Sequence, residues 1–262
     1  MLKKVLALCL AFILMMACLS GCGSQALTVE SVQKAGKLII GTSPDFPPFE
    51  SLTATGDVEG IEIDIMELIC AELGVDLEIK QMDFDSVLPG VQTGKFNVGV
   101  SGISVTPERE KNTLFTVPYC LAAQAIVVTS DSPITCKEDL NGKSVSVQTG
   151  TTAEEFCMKN GYEVKAFAAN ADAETALTVG KVDAWVIDDL TAAEMVASYN
   201  ADHPEAPLVI LGEAMTTEPY AFAFAMGNDD LVNKINEILE GLLADGTIAS
   251  IFEKYDAPYT AP

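Results

Sequence analysis

A single histidine, His203, and no Cys-x-x-Cys pair occur in the whole sequence. That poverty removes the common zinc arrangements and leaves no cysteine with an evident histidine partner for thiolate catalysis. Cations are scarce as well. Fifteen Lys and Arg stand against 38 Asp and Glu, a formal charge of −23, and beyond the N-terminus the basic residues are scattered singly. Such a pattern carries no footprint for DNA or RNA, and a polyanion is repelled by anionic lipid. Any membrane attachment must therefore be covalent or apolar. Low-complexity linkers are also missing, and an apolar fraction of 49% implies folding along most of the chain.

What is present begins with Lys3 and Lys4, an apolar run over 5–16 that is short for a bilayer span, and Leu19-Ser20-Gly21-Cys22. That order reads as a secretory signal over 1–21. The tetrapeptide resembles the lipobox of bacterial lipoproteins, which implies a lipid on the Cys22 thiol. A tether over 22–35 and a place on the extracytoplasmic face of the cell membrane follow from it. Cys9 and Cys18 leave with the signal, so Cys70, Cys120, Cys136 and Cys157 remain in the exported part. Cys70 lies on the apolar face of a helical pattern and Cys120 beside an extended run, so buried thiols are preferred to bridges.

Apolar runs alternate with segments of helical period. Strands are expected at 37–42, 76–80 and 96–100, with helices at 61–73 and 84–93 between them. The pattern recurs with strands at 125–129, 144–148, 163–166 and 183–187 and helices near 152–159, 171–179 and 190–199. A strand over 218–226 and helices at 229–244 and 247–255 close the chain. This is an α/β chain with two layers and no linker between them. Extended crossings at 119–124 and 218–222 would join two lobes, 36–120 plus 221–262 and 121–220, around a hinge and cleft.

Open parallel sheets collect ligands at the carboxyl ends of their strands. Those ends are polar here. One is the run Ser101-Gly102-Ile103-Ser104-Val105-Thr106-Pro107-Glu108-Arg109, another is Gln148-Thr149-Gly150-Thr151-Thr152, and a third is Asp188-Asp189. Thr151 or Thr152 can cap a helix, with Glu154 or Glu155 closing a capping box, and such a terminus welcomes a carboxylate. An ordinary capped helix has the same composition. Arg109 can fork onto a carboxylate, or simply pair with Glu108 or Glu110 at the surface. Asp188 ends an apolar strand, where it needs a cation, or else caps the helix that Asp189 could cap equally well. Taken together, the groups describe the two ends of a zwitterionic amino acid.

Five segments carry a resemblance: Gly41-Thr42-Ser43-Pro44-Asp45-Phe46-Pro47-Pro48-Phe49-Glu50, Gly60-Ile61-Glu62-Ile63-Asp64, the run from Ser101 to Arg109, the run from Gln148 to Thr152, and Val182-Asp183-Ala184 followed by Asp188. In order and spacing they resemble the bacterial family 3 extracellular solute-binding proteins. The resemblance implies a two-lobed, type II periplasmic-binding-protein-like fold with two crossover hinge strands. It also implies a monomeric substrate-binding lipoprotein that hands a free amino acid to an ABC-transporter permease, without cofactor, metal or catalysis. Arg109 would hold the α-carboxylate with main-chain groups near Ser104 and Thr151 or Thr152. Asp188, Gly102 and the Ser104 hydroxyl would take the α-ammonium, Phe46 and Phe84 would wall the side chain, and Ser101 and Gln148 complete the set. Relatives that take cationic amino acids often carry an acidic residue where this chain has Ser43. Asp45, Glu50, Asp85 and Gln124 could supply polarity instead, which favours a polar or basic ligand. Two rival readings are a periplasmic dehydratase-like enzyme with Asp188 as general acid, and a sensing domain that signals to a membrane receptor.

Overall fold

The structure, a computed structural model, describes residues 26–212 and 214–262. The signal and the lipidation expected at Cys22 lie outside the described residues. Two five-stranded sheets organise the rest. In the first, Lys37–Thr42 runs parallel to Asp76–Gln81 on one side and to Val98–Gly99 on the other, and Ala223–Ala225 and Thr113–Phe115 extend it with antiparallel pairing. The second is ordered Glu163–Phe167, Ser144–Gln148, Ala184–Asp188, Gln124–Thr129, Leu208–Ile210, again with a parallel core and an antiparallel edge.

Periodicity explains the covering helices. In Ile61–Leu73 the residues Ile61, Ile65, Ile69 and Leu73 recur three to four apart and are all buried, and a left-handed Gly74 ends the helix. The helix Asp229–Ala244 buries Leu231, Ile235 and Leu239 by the same spacing. The helix expected at 84–93 starts as a 3-10 turn, Phe84–Ser86, and becomes α-helical over Val87–Gln92. Pro89 lies in its first turn, where a missing N–H breaks no intrahelical bond.

Other expectations change. The run over 218–226 is not one strand: Glu218–Tyr220 pairs antiparallel with Cys120–Ala122 between the sheets, and Ala223–Ala225 joins the first sheet. Those two paired segments are where the chain crosses from one sheet to the other and back. The expected tether is also shorter, because Val29–Ala35 is a helix. Thr28 and Ser31 cap it reciprocally, Val32 is buried, and the Leu27 and Val29 N–H groups donate to Asn228 Oδ1 and Asp230 Oδ2, each at 2.8 Å. Local polarity hid a docked helix with only one buried apolar side chain.

Cys70, Cys120 and Cys157 are buried thiols and Cys136 is partly exposed. Burial pushes the Cys70 thiol up to about 11, which leaves it poorly nucleophilic.

The strand expected at 96–100 shrinks to Val98–Gly99, where the Asn97 side chain takes the Ile39 N–H at 2.7 Å in place of a main-chain carbonyl, and the preceding Phe96 is buried. Its ring lies between Gly41 and Gly90, where added Cβ atoms would come within 2.3 and 2.4 Å of it. Gly41→Ala should therefore destabilise the protein by about 1–3 kcal/mol through overpacking. Urea denaturation should show a lower midpoint at unchanged slope, and combining the change with Phe96→Leu should recover part of the loss.

Candidate ligand-binding site

All ten residues expected at the site line one cavity between the two sheets, with about 390 Å³ of empty space when its open mouth is included. Phe46, Phe84, Ser101, Gly102, Ser104 and Arg109 come from the side of the first sheet, and Gln148, Thr151, Thr152 and Asp188 from the second. Ala153, Asn170, Val186 and Ile187 complete the lining.

The turn after Ser144–Gln148 depends on Gly150, whose φ of +80° lets the chain swing into the helix Thr152–Lys159. Thr151 is the N-cap. Its hydroxyl accepts the Glu154 N–H at 3.1 Å and donates to Gln148 O at 2.7 Å. Glu154 reaches back to the Gly150 N–H at 2.7 Å, one residue earlier than in the usual capping box. The N–H groups of Thr152 and Ala153 are then left without intrahelical partners at a partly positive terminus beside the cavity.

Arg109 faces that terminus. Nη1 donates to Ser104 O at 2.8 Å and Nη2 to Gly150 O at 3.1 Å, so the guanidinium bridges the two halves through carbonyls. The Phe84 ring lies 5.8 Å below it. Glu108 pairs with Lys111 instead of Arg109. Burial pulls the Arg109 pKa down, while Glu155, Glu218 and Asp188 push it back. With no carboxylate in direct contact among the described residues, the fork keeps an unmet demand for negative charge.

Asp188 is only 8% exposed and holds the capping position of the helix Asp189–Asp202, yet its side chain makes no capping bond. Asp189 takes the local work, its Oδ1 accepting the N–H groups of Ala123 at 3.1 Å and Leu190 at 2.9 Å. Asp188 is free for the cavity and accepts the Tyr220 hydroxyl. Burial first, then Glu218, push its pKa up to about 7, with Tyr220 and Arg109 opposing. A cation placed beside it would restore the ordinary ionised form.

The floor rests on two buried carboxyls. Ser101 Oγ donates to Glu50 Oε1 at 2.8 Å and accepts the Ser43 N–H at 3.0 Å. Glu62 accepts the Gly102 N–H at 3.0 Å and the Tyr119 hydroxyl at 2.5 Å. Burial raises both pKa values, and the charge of Glu62 raises Glu50 further. Gly102 has φ +53°, and a Cβ there would come within 2.6 Å of Phe46. Its N–H is thereby turned into the floor.

Sequence reading missed Tyr220, Asn170, Glu62 and Tyr119. Glu62 left a signal, a carboxylate among apolar neighbours on the buried face of Ile61–Leu73. Of the four residues expected to lend the pocket polarity, none lines it. Glu50 is sealed in the floor, Gln124 is fully buried opposite Asp188 on the neighbouring strand, Asp85 packs against Gly150, and Asp45 lies behind Gln148. Side-chain direction, which spacing does not give, decides each case.

The family model for bacterial extracellular solute-binding proteins, family 3, matches residues 38–257. The L-cystine-binding protein TcyJ of Escherichia coli (strain K12) is 28% identical over 231 residues, 87% of this chain and 85% of TcyJ. A solved structure of a mutant ArgBP from T. maritima superposes with a TM-score of 0.81 at 36% identity, covering 88% of this chain and 99% of that one. An ancestral amino acid-binding protein, AncCDT-1, a precursor of cyclohexadienyl dehydratase, gives 0.78 at 34% identity, covering 87% and 98%. The chain belongs to the bacterial extracellular solute-binding proteins, family 3.

Proposed function

We propose that this protein captures one free amino acid, of polar or basic side chain, for an ABC-type importer. It would work as a monomer held outside the cell by a lipid on Cys22. The observation that carries the reading is the opening of Arg109, the Thr152 and Ala153 N–H groups and Asp188 onto one cavity. A zwitterion has the complementary ends. Its α-carboxylate would meet the guanidinium and the helix terminus, and its α-ammonium would meet Asp188, with Gly102 O and the Ser104 hydroxyl beside it. Phe46 and Phe84 would flank the side chain. Relatives similar in sequence include proteins named for binding cystine and arginine, which supports the ligand class.

The lobes, 36–120 plus 221–262 and 121–220, would open about the paired crossings. Amino acid would land first on the lobe of Arg109, and closure would bring up Thr151 and Asp188. A ligand drives closure only by binding the closed form more tightly, so contacts to both lobes are required. A permease would read the closed form.

An enzyme of dehydratase type is the second reading, favoured by the raised pKa of Asp188 and by the likeness to AncCDT-1. Against it, an amino acid uses every charged group on the cavity as a binding partner, with none left over for proton transfer. Incubation with prephenate-like cyclic acids should give no turnover.

Three outcomes are expected. In a thermal-shift screen of the standard amino acids, a subset should raise the unfolding midpoint. In calorimetric titration, Arg109→Ala or Asp188→Ala should weaken the best of these by about 3–5 kcal/mol, as for a broken buried ion pair. Unchanged affinity in either variant would refute the assignment. The pH dependence has a definite sign. Asp188 has its folded pKa raised from 3.8 to about 7, so its contribution to the stability of the free protein is complete below about 3.8 and is lost as pH rises through 7. The ammonium needs the ionised carboxylate, so affinity should instead fall below pH 7, by up to about tenfold per unit. Asp188→Asn should flatten that profile.

A further inference from the structure

Asp45 stands behind the cavity wall, yet it controls which atoms of that wall meet the ligand. It belongs to the short strand Asp45–Phe46 beside the first sheet. Its carboxylate reaches across the cleft to the second. Oδ2 accepts the Gln148 amide nitrogen at 3.0 Å and the Asn170 main-chain N–H at 2.8 Å. Oδ1 accepts the Ser43 hydroxyl at 2.8 Å and the same Gln148 nitrogen at 3.3 Å.

A carboxylate accepts and does not donate, so the Gln148 amide has one allowed orientation. Its nitrogen must face Asp45, and its second hydrogen goes to Ala168 O at 3.1 Å. The Gln148 oxygen then accepts Asn170 Nδ2 at 3.1 Å, and the other hydrogen of that nitrogen points to Asp45 O at 3.4 Å. Asn170 is oriented in its turn. Every N–H of the two amides is consumed.

What remains toward the cavity is oxygen. Gln148 Oε1 keeps a free lone pair, and Asn170 Oδ1 accepts no hydrogen bond among the described residues although Asn170 is only 1% exposed and lines the cavity. Asn170 Oδ1 is not itself fully enclosed, so on the cavity wall it is an open acceptor, and a ligand that supplies a donor there is favoured. A side-chain carboxylate would meet two carbonyl dipoles and, behind them, the charge of Asp45.

We propose that Asp45 is a positioning residue for specificity: it turns the amides of Gln148 and Asn170 so that the cavity selects side chains that donate hydrogen bonds and rejects side-chain carboxylates. The inference rests on the amino-acid reading above. Glutamine and glutamate, nearly equal in shape and opposite in this respect, are the probes, with arginine as a longer donor.

Calorimetric titration of the wild-type protein should show glutamine and arginine bound at least about 100-fold more tightly than glutamate, as expected for a site whose buried acceptors need donors. Asp45→Asn introduces an N–H₂ that competes with the donors around it and frees Gln148 to turn. The glutamine-to-glutamate preference should then fall at least about tenfold. Gln148→Leu, which deletes one oriented amide, should lower the ratio in the same direction and serves if the first variant does not fold. A purely structural role would weaken both ligands together and leave the ratio alone.

The inference is overturned if the wild-type protein binds glutamate as tightly as glutamine, if it binds amino acids but neither glutamine nor arginine, or if the folded variants keep the wild-type ratio. Absence of binding to any amino acid marks the failure of the functional reading itself, and the inference falls with it.

Discussion

Taking a charge out of water is affordable only where partners wait for it, and that constraint shapes the centre of this molecule. Arg109 is supported by carbonyls from both halves, which hold it in place without neutralising it. Asp188 is buried with one hydroxyl donor and no cation in contact among the described residues. Each is underpaired by itself. Because the two lie on one cavity, a small molecule with opposite charges at its ends would complete both at once. The parallel strands matter chiefly because they deliver these groups, and the helix terminus at Thr152, to a common place.

Around that centre lies a supporting layer, enclosed in the floor and partly exposed at Asp45. Glu62, Tyr119, Glu50 and Ser101 fix the segment at 101–102 from beneath, and Asp45 fixes Gln148 and Asn170 from behind. Apart from Glu50 Oε2, which has no donor among the described residues, these groups have hydrogen-bond partners, the condition under which such networks make a site rigid. The aromatic rings add shape. Phe46 stacks on Phe49 at 5.7 Å and leans on Tyr220, and Tyr220 in turn reaches Asp188. Wall, floor and charged groups therefore share neighbours, so loosening one disturbs the rest.

Much of this was legible from the chain alone. The strand Ser144–Gln148 and the helices Ile61–Leu73 and Asp229–Ala244 follow directly from period and caps, and the polar residues just past the strand ends do meet. Short elements were not legible. Asp45–Phe46, Thr113–Phe115 and Leu208–Ile210 have two or three residues, too few to show a period. Tyr220 reads as one more apolar residue of an extended run, and nothing in spacing says that its hydroxyl meets a carboxylate 32 residues away in sequence. Asp45 failed for a related reason: a polar residue near a ligand can line the pocket or stand one layer back. Sequence gives its position along the chain, whereas the role depends on where its side chain points.

The helix Val29–Ala35 fastens the leading end of the described chain to the half that carries Arg109, through Asn228 and Asp230. Mechanical load arriving along the preceding residues would thus fall on that half and bypass the paired crossings at Cys120–Ala122 and Glu218–Tyr220. On the proposed opening about those crossings, the other half would move as an unloaded arm, and the work of moving it would not depend on tension in the leading end.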